Sequence, residues 1–141
     1  MSVLTRMLHA IDARDWATLR ASFADTLHTD YTSLFGGTPE DISADELVAR
    51  WRPLMLGYSA TQHQTGPVLA TGDRLDAHVI AHHWLDDAPG GDTWVVHGHY
   101  VARVVDDRIA ELTLQTYRQT GNRDLPTLAT ERAAARPVSS A

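Results

Sequence analysis

Residues 74–119 alternate between two faces almost without interruption, and no other stretch limits the fold as much. Leu75, Ala77, Val79, Ala81 and His83 alternate with Asp76, His78, Ile80, His82 and Trp84. Residues 93–105 set Val95, His97, His99, Val101 and Arg103 against Trp94, Val96, Gly98, Tyr100 and Ala102. Residues 108–119 set Ile109, Glu111, Thr113, Gln115 and Tyr117 against Ala110, Leu112, Leu114, Thr116 and Arg118. A period of two is that of a β-strand, whose successive side chains point to opposite faces. The breaks are short, with a loop at Ala88-Pro89-Gly90-Gly91-Asp92 and a tight turn at Asp106-Asp107. Strands on such short links pair as an antiparallel meander. Residues 59–71 read as one more strand, closed by a turn at Gly72-Asp73.

The first half of the chain is built differently. Val3, Leu4, Met7, Leu8 and Ile11 recur at helical spacing, and Asp12-Ala13-Arg14-Asp15 breaks the pattern. Asp15 suits the N-cap of a second short helix carrying Trp16, Leu19 and Phe23. Residues 26–35 read as a strand, and Gly36-Gly37-Thr38-Pro39 as a turn. Ser43 with Glu46 forms a capping box for a helix with Leu47, Val48, Trp51, Leu54 and Met55 on its apolar face. Pro53 is expected to kink that helix or end it early.

Helices early and strands late indicate one α+β domain over residues 1–121, followed by a loose tail over 122–141. The expected architecture is a curved antiparallel sheet with helices on its concave face, able to close toward a cone around a pocket. Both faces of the late strands carry apolar residues. Leu112, Leu114, Val96 and Tyr100 are therefore expected on the face turned away from the helices, buried by another chain in a homo-oligomer, a dimer or trimer.

Composition removes several kinds of chemistry. The 141-residue chain has no cysteine, so disulfides, thiolate nucleophiles and zinc–thiolate sites are excluded. All twelve basic residues are arginine, so no lysine Schiff base can form. A net charge of −6 argues against nucleic-acid and anionic-membrane partners. No signal peptide is expected, because residues 1–10 contain Arg6 and His9 and lack an apolar run, and a cytoplasmic location follows as the expectation.

Eight histidines draw attention, five of them within residues 78–99. His97 and His99 share a face and could chelate a metal with His63 as third ligand, although no metal is the expectation. There is no Gly-x-Ser-x-Gly elbow and no phosphate-cradling glycine loop. General acid–base chemistry by His and Asp, with tyrosine hydroxyls as donors, is left. Thr61-Gln62-His63-Gln64-Thr65 lies where a helix gives way to a strand, and alternation puts Thr61, His63 and Thr65 on one face. His63 there is a candidate proton carrier at neutral pH. Asp12 sits near the C-terminal end of the first helix, where an anion opposes the helix dipole.

Ile11-Asp12-Ala13-Arg14-Asp15-Trp16, Thr29-Asp30-Tyr31-Thr32-Ser33, Thr61-Gln62-His63 and Gly98-His99 together resemble the fungal scytalone dehydratases in order and spacing. The likeness runs from about Leu8 to Tyr117 and places the chain with the SnoaL-like group of the nuclear transport factor 2 superfamily. The resemblance implies an NTF2-like cone and a small-molecule lyase of dehydratase type without cofactor. It implies that Asp12 orients His63, that His63 moves the proton, that Tyr31 polarises a carbonyl, and that His99 holds the substrate or leaving group. Thr113 and Gln115 would contact substrate, with His97 and Trp51 as further pocket candidates. Position 11 departs from the pattern: the family has a second tyrosine there and this chain has Ile11. A polyketide cyclase, an isomerase, a dehydrohalogenase and a non-catalytic binding module remain open alternatives on the same scaffold.

Overall fold

A computed structural model describes residues 1–135 of the chain. Helix α1, Val3–Ala13, is capped by Ser2, whose Oγ accepts from the Thr5 amide. Its apolar stripe is buried as the spacing predicts. It stops at Arg14, in the left-handed conformation at φ 58°. Asp15 then caps helix α2, Trp16–Ala21, by accepting from the Thr18 amide at 3.1 Å.

Strand β1 covers Phe23–Asp30 and is followed by a one-turn helix α3, Thr32–Phe35. The expected strand over 26–35 thus ends five residues early. Asp30 is the physical reason: its carboxylate accepts from the Thr32 amide and hydroxyl at 3.0 and 2.7 Å, an Asx turn that starts a helix. Strand β2, Glu40–Ser43, leads into helix α4, Ala44–Gly57, with Ser43 Oγ accepting from the Glu46 amide. The helix runs through Pro53 to Gly57 rather than ending at it. The expected strand over 59–71 divides into β3, Ala60–Thr65, and β4, Leu69–Thr71, interrupted at Gly66-Pro67. The long strands are β5, Arg74–Trp84, β6, Thr93–Val105, and β7, Arg108–Gly121.

The sheet runs β2-β1-β7-β6-β5-β3, with β4 also on β5. All pairs are antiparallel except β1 with β7, which is parallel. Helices α1 and α4 cover one face. Leu4, Met7, Leu8 and Leu47 pack there against Ala77, Val79, Tyr100, Ala102, Leu112 and Leu114. Val96, Tyr100, Leu112 and Leu114 therefore point toward the helices, not away from them as expected. Asp76, His78, His97, His99, Arg103, Glu111 and Thr113 of the same strands stand on the outer face, whereas His83 shares the inner one. No helix among the described residues is long and apolar enough to cross a membrane.

Residues 125–135, expected within a loose tail, form helix α5, Leu125–Ala135; the rest of that expected tail lies outside the described residues. Leu125 and Ala129 are fully buried in a second cluster with Tyr58, Leu85, Trp94 and Val96. Close approach to α4 is possible because position 57 has no side chain. A Cβ on Gly57 would lie 1.9 Å from the Ala129 carbonyl oxygen. Gly57→Ala is expected to lower the unfolding free energy by about 1–3 kcal/mol through overpacking. Gly66→Ala, where added volume meets nothing within 4 Å, is the control, and denaturant titration of both compares them.

Candidate active site

β3 presents Thr61 and His63 to the concave side, opposite His83 and Ala81 of β5. α1 delivers Asp12 to the same place. The carboxylate that opposes its helix dipole is held by donors from β3. Its Oδ1 lies 2.7 Å from His63 Nδ1 and accepts from Thr61 Oγ1 at 2.9 Å. Its Oδ2 accepts from the His63 backbone amide at 2.7 Å. Behind Thr61 stands Arg14, whose Nη1 donates at 2.8 Å to both Thr61 Oγ1 and the Ile11 carbonyl. A guanidinium only donates, so Thr61 accepts from Arg14 and passes its own proton to Asp12.

Burial pushes the Asp12 carboxyl up, but the hydrogen bond and charge of His63 and the hydrogen bond from Thr61 outweigh it and hold Asp12 below its ordinary value. Asp12 is thus an ionised acceptor. His63 Nδ1 must carry the proton, which leaves the lone pair on Nε2. The His63 side chain is only 5% exposed, and it lines a cavity enclosed by α1, α3, α4 and the sheet.

The cavity walls are mainly apolar, with Tyr31, Phe35, Trp51, Tyr58, Trp94 and Tyr100 as their aromatic members. Tyr31 sits just before α3, and its hydroxyl lies 3.2 Å from that of Tyr100 on β6. Trp51 of α4 packs edge-on against Tyr31 at 5.7 Å between ring centres. Burial, with Tyr100 beside it, raises Tyr31 well above its usual value, and burial pushes Tyr100 up to about 12 against the lowering effect of its bond with Tyr31. Both remain protonated donors at neutral pH. His83 faces the cavity as well. Its Nδ1 lies 3.0 Å from the Trp94 carbonyl and therefore donates. Burial, helped by nearby His63, drives its pKa down to about 3, so this imidazole is neutral.

Asp12, Tyr31, His63 and Trp51 come together as the expected site. His97, His99, Thr113 and Gln115 do not. They stand at alternate positions to Trp94, Val96, Tyr100, Leu112 and Leu114, so strand parity turns them to the outer face. His99 there bonds Asp76 at 2.9 Å and Gln115 at 3.3 Å. For the same reason His63 does not converge with His97 and His99, and no three His, Asp or Glu among the described residues are placed to hold a metal. The residues that sequence reasoning missed are Tyr100, His83, Tyr58, Thr61 and Arg14. The signal for the first two was parity with the more apolar face, since Tyr100 alternates in step with Trp94 and Val96, and His83 with Val79 and Ala81.

A model of the SnoaL-like domain family matches residues 1–111, and the chain belongs to that family. A protein of known structure from Kribbella flavida is 29% identical, covers 89% of this chain and 92% of its own, and superposes with a TM-score of 0.75. A candidate scytalone dehydratase from Novosphingobium aromaticivorans is 16% identical over 85% of this chain and 83% of its own, with a TM-score of 0.66. An LEH-like epoxide hydrolase from Mycobacterium tuberculosis is 16% identical over 82% of this chain and 80% of its own, with a TM-score of 0.67. At such identities the last two show a shared fold. No curated protein matches the sequence.

The depressed pKa of His83 has a consequence for stability. In the unfolded chain it takes up a proton near about pH 6.5, while in the folded protein it stays neutral down to about 3. Between those values the unfolded state binds the extra proton, so stability falls as pH falls. This residue alone accounts for a slope of at most about 1.4 kcal/mol per pH unit. His83→Gln is expected to flatten that slope in denaturant unfolding followed from neutral pH down to about pH 4.

Proposed function

We propose that this protein is a cofactor-independent acid–base lyase of dehydratase type, which eliminates water from a small, uncharged cyclic hydroxy-carbonyl compound. The observation that carries this reading is the Asp12–His63 contact, 2.7 Å long, at the wall of an apolar cavity. A binding module has no need of an ionised carboxylate spent on fixing one histidine tautomer. A base has that need, because the carboxylate stabilises the imidazolium formed on proton uptake.

The chemistry follows from the atoms present. His63 Nε2 removes a proton from the carbon next to the carbonyl. The released electron pair moves toward the carbonyl oxygen, where Tyr31 and Tyr100 donate hydrogen bonds to the developing charge. The carbon–oxygen bond on the next carbon then breaks, and the leaving hydroxide takes the proton back from His63 as water. The second phenol comes from Tyr100, so the pair survives with Ile11 at position 11. A charged substrate is disfavoured: no arginine lines the cavity among the described residues, His83 is neutral, and a buried carboxylate or phosphate would lack a counter-ion.

A panel of cyclic β-hydroxy ketones, followed by the absorbance of the conjugated product, tests the reading. His63→Ala is expected to lower turnover by about 10² to 10⁴. Asp12→Asn should keep the fold and lose most of the activity through the wrong tautomer. Tyr31→Phe and Tyr100→Phe should each cost less than loss of the base. Wild-type turnover by His63→Ala on an accepted substrate would sink the proposal.

A further inference from the structure

The cavity beside His63 has about 70 Å³ of free space. An apolar cavity of roughly 150 Å³ is the size that takes a benzene ring. A cyclic ligand therefore does not fit the cavity as it stands, and part of the wall has to move. A wider hollow of about 300 Å³ lies next to it, with Thr29, Thr38, Glu40 and Arg50 in its lining. Tyr31, Phe35, Trp51 and Leu54 line both spaces, so these four form the partition.

Three of the four are held in place. Trp51 and Leu54 belong to the 14-residue helix α4. The Tyr31 hydroxyl meets that of Tyr100, and its ring packs on Trp51. Phe35 is different. It is 59% exposed and ends α3, none of whose residues is buried. Gly36 and Gly37 follow at φ 73° and 78°, and a Cβ on either would meet nothing within 4 Å. Glycine serves here for its backbone freedom, not to let a neighbour approach. The chain is fixed on both sides of this stretch. Asp30 holds the turn before it, and after it Glu40 pairs with Arg50 of α4 while Asp41 bonds His28 at 2.9 Å. Among the described residues, the hydrogen bonds from α3 to the sheet all pass through one hydroxyl. Ser33 Oγ donates to the Leu114 carbonyl at 2.6 Å, accepts from the Thr116 amide at 2.9 Å, and lies 3.1 Å from Thr116 Oγ1.

We propose that α3 is a gate. Its single turn, carrying Leu34 and Phe35, swings on Gly36-Gly37 away from the sheet, joins the small cavity to the outer hollow and so admits a ring. Ser33 on β7 is the latch of the shut state. The gate rests on the functional reading above only in that the ligand is cyclic.

A crosslink across the latch tests it. The chain has no cysteine of its own, and the two hydroxyl oxygens stand where the sulfurs of Ser33→Cys with Thr116→Cys would meet. NMR titration with benzene, which needs the gate open, is compared with xenon, a single atom that suits the small cavity. Wild-type protein is expected to bind both. Oxidation of the double variant should weaken benzene binding at least tenfold, leave xenon binding unchanged, and be reversed by dithiothreitol. Ser33→Ala, which removes the latch, should bind benzene about two- to tenfold more tightly, because the open state is better populated. Benzene binding that survives oxidation, loss of xenon along with benzene, an unchanged affinity in Ser33→Ala, or no benzene binding by wild type would each overturn the gate. Benzene has no carbonyl and is not turned over, so the two ideas fail separately. If His63→Ala were fully active, the acid–base reading would fall while the gate stood.

Discussion

The contact between Asp12 and the His63 residue holds the architecture and the chemistry in one place. β3 is an edge strand, the last in the order β2-β1-β7-β6-β5-β3. An open edge exposes peptide groups that need partners. Asp12 takes the His63 amide on one carboxylate oxygen and the imidazole on the other. One side chain thus fastens α1 to the sheet edge, satisfies a strand amide and sets a tautomer. Its poor position against the helix dipole is offset by these donors, with Arg14 acting through Thr61 behind them.

Burial then gives the cavity its character. His83 is kept neutral, and Tyr31 and Tyr100 keep their protons. Asp12 is the group that hydrogen bonding holds in the charged form. The interior therefore has one fixed negative charge, placed where a positive one forms when His63 takes a proton, and otherwise offers only neutral donors and acceptors. In a space with little water such fixed dipoles act more strongly than they would in solution.

The irregular pieces place the aromatic groups. α3 exists because Asp30 folds the chain into a turn, and this swings Tyr31 off the strand line and against Trp51 and Tyr100. Ser33 Oγ anchors α3 to the Leu114 carbonyl of β7 at 2.6 Å. At the other end α5 closes over Tyr58 and Trp94, and it reaches α4 only because Gly57 leaves room.

Much of this was written in the sequence. The period of two marked β5, β6 and β7; helical spacing and caps marked α1, α2 and α4; and Asp12 and His63 each stood out singly, one against its helix dipole and one on a strand, while their pairing came only from the family resemblance. Each of these is a local property, read within one or two turns of chain. What the tertiary structure decided is sidedness and distance. An alternating strand looks the same whichever face meets the helices, so His97, His99, Thr113 and Gln115 could be assigned inward while Tyr100 was assigned to a subunit interface and His83 to no role. The helices choose the face, because α1 and α4 must bury their stripes against the more apolar side. The Tyr31–Tyr100 pair joins residues 69 apart in sequence, and Thr61 meets Asp12 across 49. No local pattern carries such pairings; they arise only when the sheet curves and the helices close over it.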